Sequence, residues 1–258
     1  MNRVITLMTD FGYRDPYVGV MKGVILSRSS NCTLVDLTHG ISPHSVLEAN
    51  FAIRGSYRFF SEGTLHVIVV DPGVGGARRI LYLEMEGHLF LAPDNGVLTG
   101  LLESPDVLRA VENESLFLKE VSSTFHGRDI FAPVAAGLIE GLKPKDLGPA
   151  VEDPVTIAWS EPTFNRETIE GCIIYIDVYG NLVSNITKAH LDQLGLEKPC
   201  VYLCGKEIGE PRTSYSFKKK GRPVAIFGSF GHLEIAVSEG NAAEMYGVGT
   251  GDEIIVTT

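Results

Sequence analysis

Within its first seventy residues the chain alternates short apolar runs with helical patterns, and this alternation narrows the folds open to it. Val4-Ile5-Thr6-Leu7-Met8 reads as a strand, Tyr17 to Ser27 has helical spacing, and Thr33-Leu34-Val35-Asp36-Leu37 reads as a second strand. Val46 to Phe60 reads as an amphipathic helix and Leu65 to Val70 as a buried third strand. Such βαβαβ order predicts a mainly parallel sheet covered by helices, with right-handed crossovers. Arg79 to Met85 and His88 to Leu91 then read as a hairpin around Glu86-Gly87, and Ile130 to Gly141 as a helix of small residues.

Between Pro144 and Pro162 four prolines and several acidic residues predict a connector with little regular structure. Beyond it, short apolar runs recur between turns: Gly171 to Val178, Leu182 to Ile186, Cys200 to Cys204, Val224 to Phe227, Leu233 to Val237 and Glu253 to Val256. That spacing predicts a small antiparallel barrel or sandwich. The fold class expected is therefore α/β, with an N-terminal α/β sandwich domain over residues 1–154. A linker over 155–167 leads to a C-terminal β-barrel domain over 168–258.

A formal charge of -10 argues against nucleic acid or an anionic membrane as the main partner. No run of 18 apolar residues reads as a membrane span, and Asp10 interrupts the N-terminal apolar run, so a cytoplasmic enzyme is expected. The four cysteines, Cys32, Cys172, Cys200 and Cys204, are too scattered for a disulfide framework. Strand alternation places Cys200 and Cys204 on one face, but two further soft ligands for zinc are lacking. His39, His44, His66, His88, His190 and His232 show no ligand spacing and read as surface or loop residues. No metal or other cofactor is expected.

Asp71 directly follows the third strand, in Asp71-Pro72-Gly73-Val74-Gly75-Gly76-Ala77-Arg78, and His126 lies in Phe125-His126-Gly127-Arg128-Asp129. A carboxylate, a fixed cation and an imidazole are what a site needs to hold and deprotonate water. Carboxyl ends of parallel strands are also where open α/β sheets bind ligands. A turn Asp, a surface Arg and a capping His would explain the same residues. The glycines are no phosphate loop, because Gly-Lys-Ser/Thr is absent and a strand pattern follows. Asp10, at the end of the first strand, could grip ribose hydroxyls or an ammonium group; Asp15 could do so or cap the helix at Tyr17. Asn95, in Ala92-Pro93-Asp94-Asn95-Gly96, is a turn residue that could also read a base edge. A hairpin turn explains Gly180-Asn181 in Asp177-Val178-Tyr179-Gly180-Asn181 without requiring Asp177 or Tyr179.

These segments, with Thr9-Asp10-Phe11-Gly12 and Ser229-Phe230-Gly231, are in order along nearly the whole chain. Together they make it resemble the S-adenosyl-L-methionine hydroxide adenosyltransferases, relatives of the fluorinating and chlorinating enzymes. The resemblance implies a homotrimer that binds its small-molecule substrate where one subunit's N-terminal domain meets a neighbour's C-terminal domain. It implies Asp10 at the ribose hydroxyls, Asp15 and Asp177 near the methionine amino group, and Ser229 near its carboxylate. Asn181 would read adenine, Phe125 would lie beside the sugar, and Asp71, Arg78 and His126 would handle water. The halogenating relatives carry Tyr at the Asp71 position and lack the His and Arg, so the implied reaction is hydrolysis to adenosine and L-methionine. Tyr17 and His44 depart from those relatives, which bear a hydroxyl contact and an aromatic lid there. A halide-dependent adenosyl transferase and a non-catalytic S-adenosylmethionine-binding protein are the alternatives.

Overall fold

The computed structural model describes residues 3–158, 161–196, 198–214 and 220–257. It divides into two compact units, Met1–Ile157 and Ala158–Thr258. The protein is α/β, a mixed sheet with helices in the first unit and an antiparallel barrel-like sheet in the second.

In the first unit, strands β1 (Arg3–Thr9), β2 (Cys32–Thr38) and β3 (Leu65–Val69) alternate with helices α1 (Tyr17–Arg28) and α2 (Val46–Ser56). Three further strands follow, β4 (Ile80–Met85), β5 (His88–Pro93) and β6 (Val107–Ala110), and then helix α3 (Ala132–Ile139). The sheet order is β2-β1-β3-β5-β4-β6. β1, β2, β3 and β5 are parallel neighbours, while β4 runs antiparallel to β5 and β6. Period-two alternation sends Ile5, Leu7, Leu65, Val67 and Val69 into one core with α1 and α3. Met8, Ile68 and Val70 enter the opposite core with α2. The chain passes from β1 to β2 on one side and returns to β3 on the other, so a topological switch point lies between β1 and β3. Asp10 and Asp71 leave the sheet there.

The second helix is shorter than its pattern suggests. The side chain of Ser45 accepts from the Glu48 amide to start it, and after Ser56 the chain tightens into a 3₁₀ turn, Tyr57–Phe59. α3 is preceded by a wide π turn, Gly127–Phe131, that starts directly after His126. Three histidines expected in surface or loop positions are buried: His39, in the loop after β2, and His66 and His88, within strands β3 and β5. His66 Nδ1 meets Thr6 Oγ1 at 2.8 Å and its Nε2 meets His88 Nδ1 at 3.3 Å. An imidazole with such partners packs like an aromatic, and His66 stacks on Phe90.

The proline-rich connector has little regular structure, yet up to residue 157 it is tied to the first unit. The Val155 amide donates to Asp94, Arg79 bridges Asp94 and Asp153, and the Ile157 amide donates to Thr99 Oγ1. Within the expected linker, Trp159 and Ser160 lie outside the described residues.

The second unit has strands β7 (Thr163–Phe164), β8 (Thr168–Ile176), β9 (Leu182–Thr187), β10 (Cys200–Leu203) and β11 (Lys206–Gly209). β12 (Pro223–Phe227), β13 (His232–Val237) and β14 (Glu253–Thr257) complete it, with short helices α4 (Lys188–Leu194) and α5 (Ala242–Tyr246). The order β11-β10-β14-β8-β9-β13-β12 wraps around a core of Ile169, Leu182, Leu203, Leu233 and Ile254. The Arg212 amide donates to Ala225 O, so the segment after β11 runs beside β12 and nearly closes the sheet. Strand alternation does not reach Cys204, which turns out of β10 at φ 46° and is exposed. No helix among the described residues is long and apolar enough to cross a membrane.

Candidate functional site

In the first unit a cavity of about 310 Å³ opens at the switch point. Asp10, Phe11, Tyr17, Pro43, His44, Asp71, Val74, Thr124, Phe125 and His126 are among the residues that line it. Asp71 hangs from the carboxyl end of β3, and Arg78 returns from the far side of the glycine loop. Gly75, at φ 75°, makes that return possible, because a side chain there would run into the Ser123 carbonyl. The loop is thereby seated on the segment that carries His126.

Arg78 clamps Asp71. Its Nε donates to both carboxylate oxygens at 2.9 Å and its Nη2 donates to Oδ2. The Asp71 side chain is only 4% exposed. The same Nη2 lies 2.8 Å from His126 Nδ1, so carboxylate, guanidinium and imidazole form one chain of hydrogen bonds. Burial pushes the His126 pKa down, and the Arg78 charge pushes it the same way, against smaller opposing pulls from Asp71 and Asp129. His126 is therefore neutral near pH 7.

On the opposite wall Asp10 Oδ2 accepts the His44 amide at 2.9 Å. His44 holds a left-handed backbone, φ 67°, and its ring is 75% exposed. Phe11, Tyr17 and Phe125 pack edge to face, with ring centroids 5.1–6.0 Å apart, and form the apolar side. Phe11 and Val74 stand in the quoted motifs without a role of their own there, and Thr124 lies just before the Phe125 motif; Phe11 directly follows Asp10 at the strand's carboxyl end.

Asp15 is exposed, and the residue at the N-cap of α1 is Pro16, with no side-chain cap. Of the two roles open to Asp15, capping is therefore absent, because Pro16 rather than Asp15 directly precedes the helix at Tyr17. Asn95 donates to Val70 O and accepts from the Val97 amide. Its side chain thus ties the turn after β5 to the end of β3.

In the second unit the β8–β9 turn is organised by Asp177. Its Oδ1 accepts from the Tyr179 and Asn181 amides and its Oδ2 from the Asn181 side chain, all at 2.8–2.9 Å. Gly180, at φ 79°, packs against Asn241 so tightly that any side chain would collide with it. Asp177, Tyr179 and Asn181 line an open hollow with Ser238, Glu239 and Gly240. The latter three close β13 beside the β8–β9 turn, which the antiparallel pairing of β9 and β13 could have indicated. Ser229 occupies the β12–β13 turn, at the other end of those strands. Among the described residues no three His, Cys, Asp or Glu side chains are grouped to hold a metal ion.

Comparison with known proteins places both units. Residues 5–148 match the SAM hydroxide adenosyltransferase N-terminal domain and residues 171–255 the C-terminal domain of the same family. The chain is 35% identical to the (R)-S-adenosyl-L-methionine hydrolase of Thermus thermophilus, over 96% of this chain and 97% of that protein. A fluorinase from an Actinoplanes species is 27% identical, over 99% of this chain and 98% of that protein. The crystal structure of a conserved protein from Thermotoga maritima superposes with a TM-score of 0.92, at 33% identity, covering 98% of this chain and 100% of that one. With both halves matched over nearly their full length, the chain belongs to the SAM hydroxide adenosyltransferase family.

Proposed function

We propose that this protein hydrolyses S-adenosyl-L-methionine to adenosine and L-methionine, by in-line attack of water on the ribose C5′. The observation that carries this reading is the Asp71–Arg78–His126 chain, set in the same cavity as Asp10 and the aromatic side chains. The sulfonium leaves as a neutral thioether, so no general acid is needed. The task left to the protein is to hold water in line with the C–S bond, and positioning of that kind can supply up to about 7–11 kcal/mol. Asp71, Arg78 and His126 take that task. Asp10 holds the ribose hydroxyls, and Phe125 stands beside the sugar.

The second unit supplies further recognition: Asn181 and Tyr179 for adenine, presented by the turn that Asp177 shapes, and Ser229, at the far end of β9 and β13, for the carboxylate of methionine. In this reading Asp15 also lies near the methionine end, and Asn95 supports the base side of the pocket through its turn. The units cooperate between neighbouring subunits of a cytoplasmic homotrimer that needs no metal, nucleic acid or membrane. A halide nucleophile is disfavoured because Asp71 would meet it with like charge, at about 4 kcal/mol for 4 Å and an effective dielectric near 20, offset in part by Arg78.

Reaction in ¹⁸O-labelled water decides the matter. The label is expected in the adenosine 5′-hydroxyl, with no change of product on adding chloride or fluoride. A 5′-halogenated nucleoside, or no turnover at all, would overturn the reading.

A further inference from the structure

The hydrogen-bond chain fixes more than proximity. A guanidinium has donors only, so the contact between Arg78 Nη2 and His126 Nδ1 at 2.8 Å requires Nδ1 to accept. A ring carrying one proton must then hold it on Nε2. The other tautomer would set Nδ1–H against the Arg78 N–H, donor against donor, inside a part-buried site. Arg78 cannot turn away freely, because its Nε and Nη2 also bind Asp71.

Resting on the hydrolytic reading, we infer that His126 serves the nucleophilic water as a hydrogen-bond donor through Nε2–H, and that Asp71 is the group that takes its proton. A water oxygen accepting from Nε2–H keeps a lone pair for C5′ and an O–H for the Asp71 carboxylate. As the O–C5′ bond forms, the C5′–S bond breaks with its electron pair passing to sulfur. The water proton moves to Asp71 and from there to solvent, leaving the adenosine hydroxyl and neutral methionine sulfur. A carboxylate is a weak base toward free water, but the attacking oxygen becomes strongly acidic as it bonds to carbon. Asp71 therefore suffices when the proton leaves late. Arg78 keeps His126 in the donor tautomer and fixes the orientation of the Asp71 carboxylate, which accounts for one cation contacting both.

Two measurements test this. In ¹⁵N-histidine-labelled protein at pH 7, the His126 ring is expected to show Nε2–H with unprotonated Nδ1. An Nδ1–H tautomer, or a doubly protonated ring, would overturn the inference, and this readout does not depend on activity. In turnover, His126→Gln restores an N–H near the Nε2 position but cannot take a proton. Its kcat is expected at least about tenfold above that of His126→Ala, which should lose about 10²–10³, with KM similar in both. Its acid limb should also be reduced, because no imidazole remains to be protonated against Arg78. Equal inactivity of two folded variants, beside an active wild type, would make His126 the base instead. If the wild type forms no adenosine, the hydrolytic reading fails while the NMR result still reports the tautomer.

Discussion

Two acidic turns of this protein, at Asp71 and at Asp177, put their carboxylates to different uses. Asp71 and its partners come from separate segments, brought together by the ends of β1 and β3 and by the turn before α3. Asp71 faces a cation and a cavity. Asp177 serves residues within four positions of itself, and its carboxylate shapes the backbone of its own turn. The first arrangement has meaning only in the folded unit, whereas the second is local turn chemistry that presents an amide and an aromatic ring. Under the proposed function this contrast becomes a division of labour: the chemistry, with the hold on the ribose, in the first unit, and the rest of recognition in the second.

The largest expected effect breaks the first side of that comparison. Asp71→Asn keeps the size but removes the negative charge and the proton acceptor. Its kcat is expected to fall by about 10²–10⁴, with KM within a few-fold, measured as adenosine release. Near-normal turnover would mean that the carboxylate does not do chemistry.

Acid should separate the units next. Burial and then the neighbouring His88 lower the His66 pKa from 6.5 to about 3. The folded state thus holds His66 neutral while the unfolded chain binds the proton. Stability is full above about pH 6.5 and is lost as pH falls toward 3; by pH 5 the loss from this group is about 2 kcal/mol. His190 and His232 of the second unit are only partly buried. Denaturant unfolding followed at pH 7 and pH 5 should show the first unit weakening more. His66→Gln, though less stable overall, should flatten that slope, and an unchanged slope would remove His66 as its source.

What could be read from the sequence follows the same division. Period-two strands, β-branched runs and the order of elements reveal the parallel sheet, and the strand ends bring Asp10, Asp71 and the His126 segment to notice. The family motifs extend this to both units. Contacts set by tertiary packing were not legible. Nothing near His66 in the chain announces that Thr6, Tyr57 and Phe90 bury it. Asp15 looks like a cap because Asp-Pro often is one, yet Pro16 takes that place. Val74 and Thr124 come to line one cavity because Gly75 seats one loop on the other. Short α4 and α5 lack the length for a periodic signal.

A smaller effect is expected in the second region. Asp177→Ala removes the acceptor of three hydrogen bonds and loosens the turn that presents Tyr179 and Asn181. A rise in KM of about tenfold, or about 1.4 kcal/mol, with kcat little changed, is the expected pattern. A fall in kcat at constant KM would place chemistry in this unit and undo the division of labour.

The mildest effect decides whether the two regions that cooperate belong to different chains. Asp10→Ala damages only the first region and Asn181→Ala only the second, so at substrate far below the raised KM each variant alone should be nearly inactive. Under the shared-site proposal, every site pairs a first unit from one subunit with a second unit from its neighbour. Random subunit exchange in an equal mixture joins an intact first unit to an intact second one in about a quarter of sites, the product of two halves. Activity should therefore recover to about a quarter of wild type, fourfold below it, once exchange is complete. If both regions of a site came from the same chain, every chain would carry one lesion and no arrangement could repair it. Absence of recovery after exchange proven by mass-labelled subunits would keep the division of labour but confine it within one subunit.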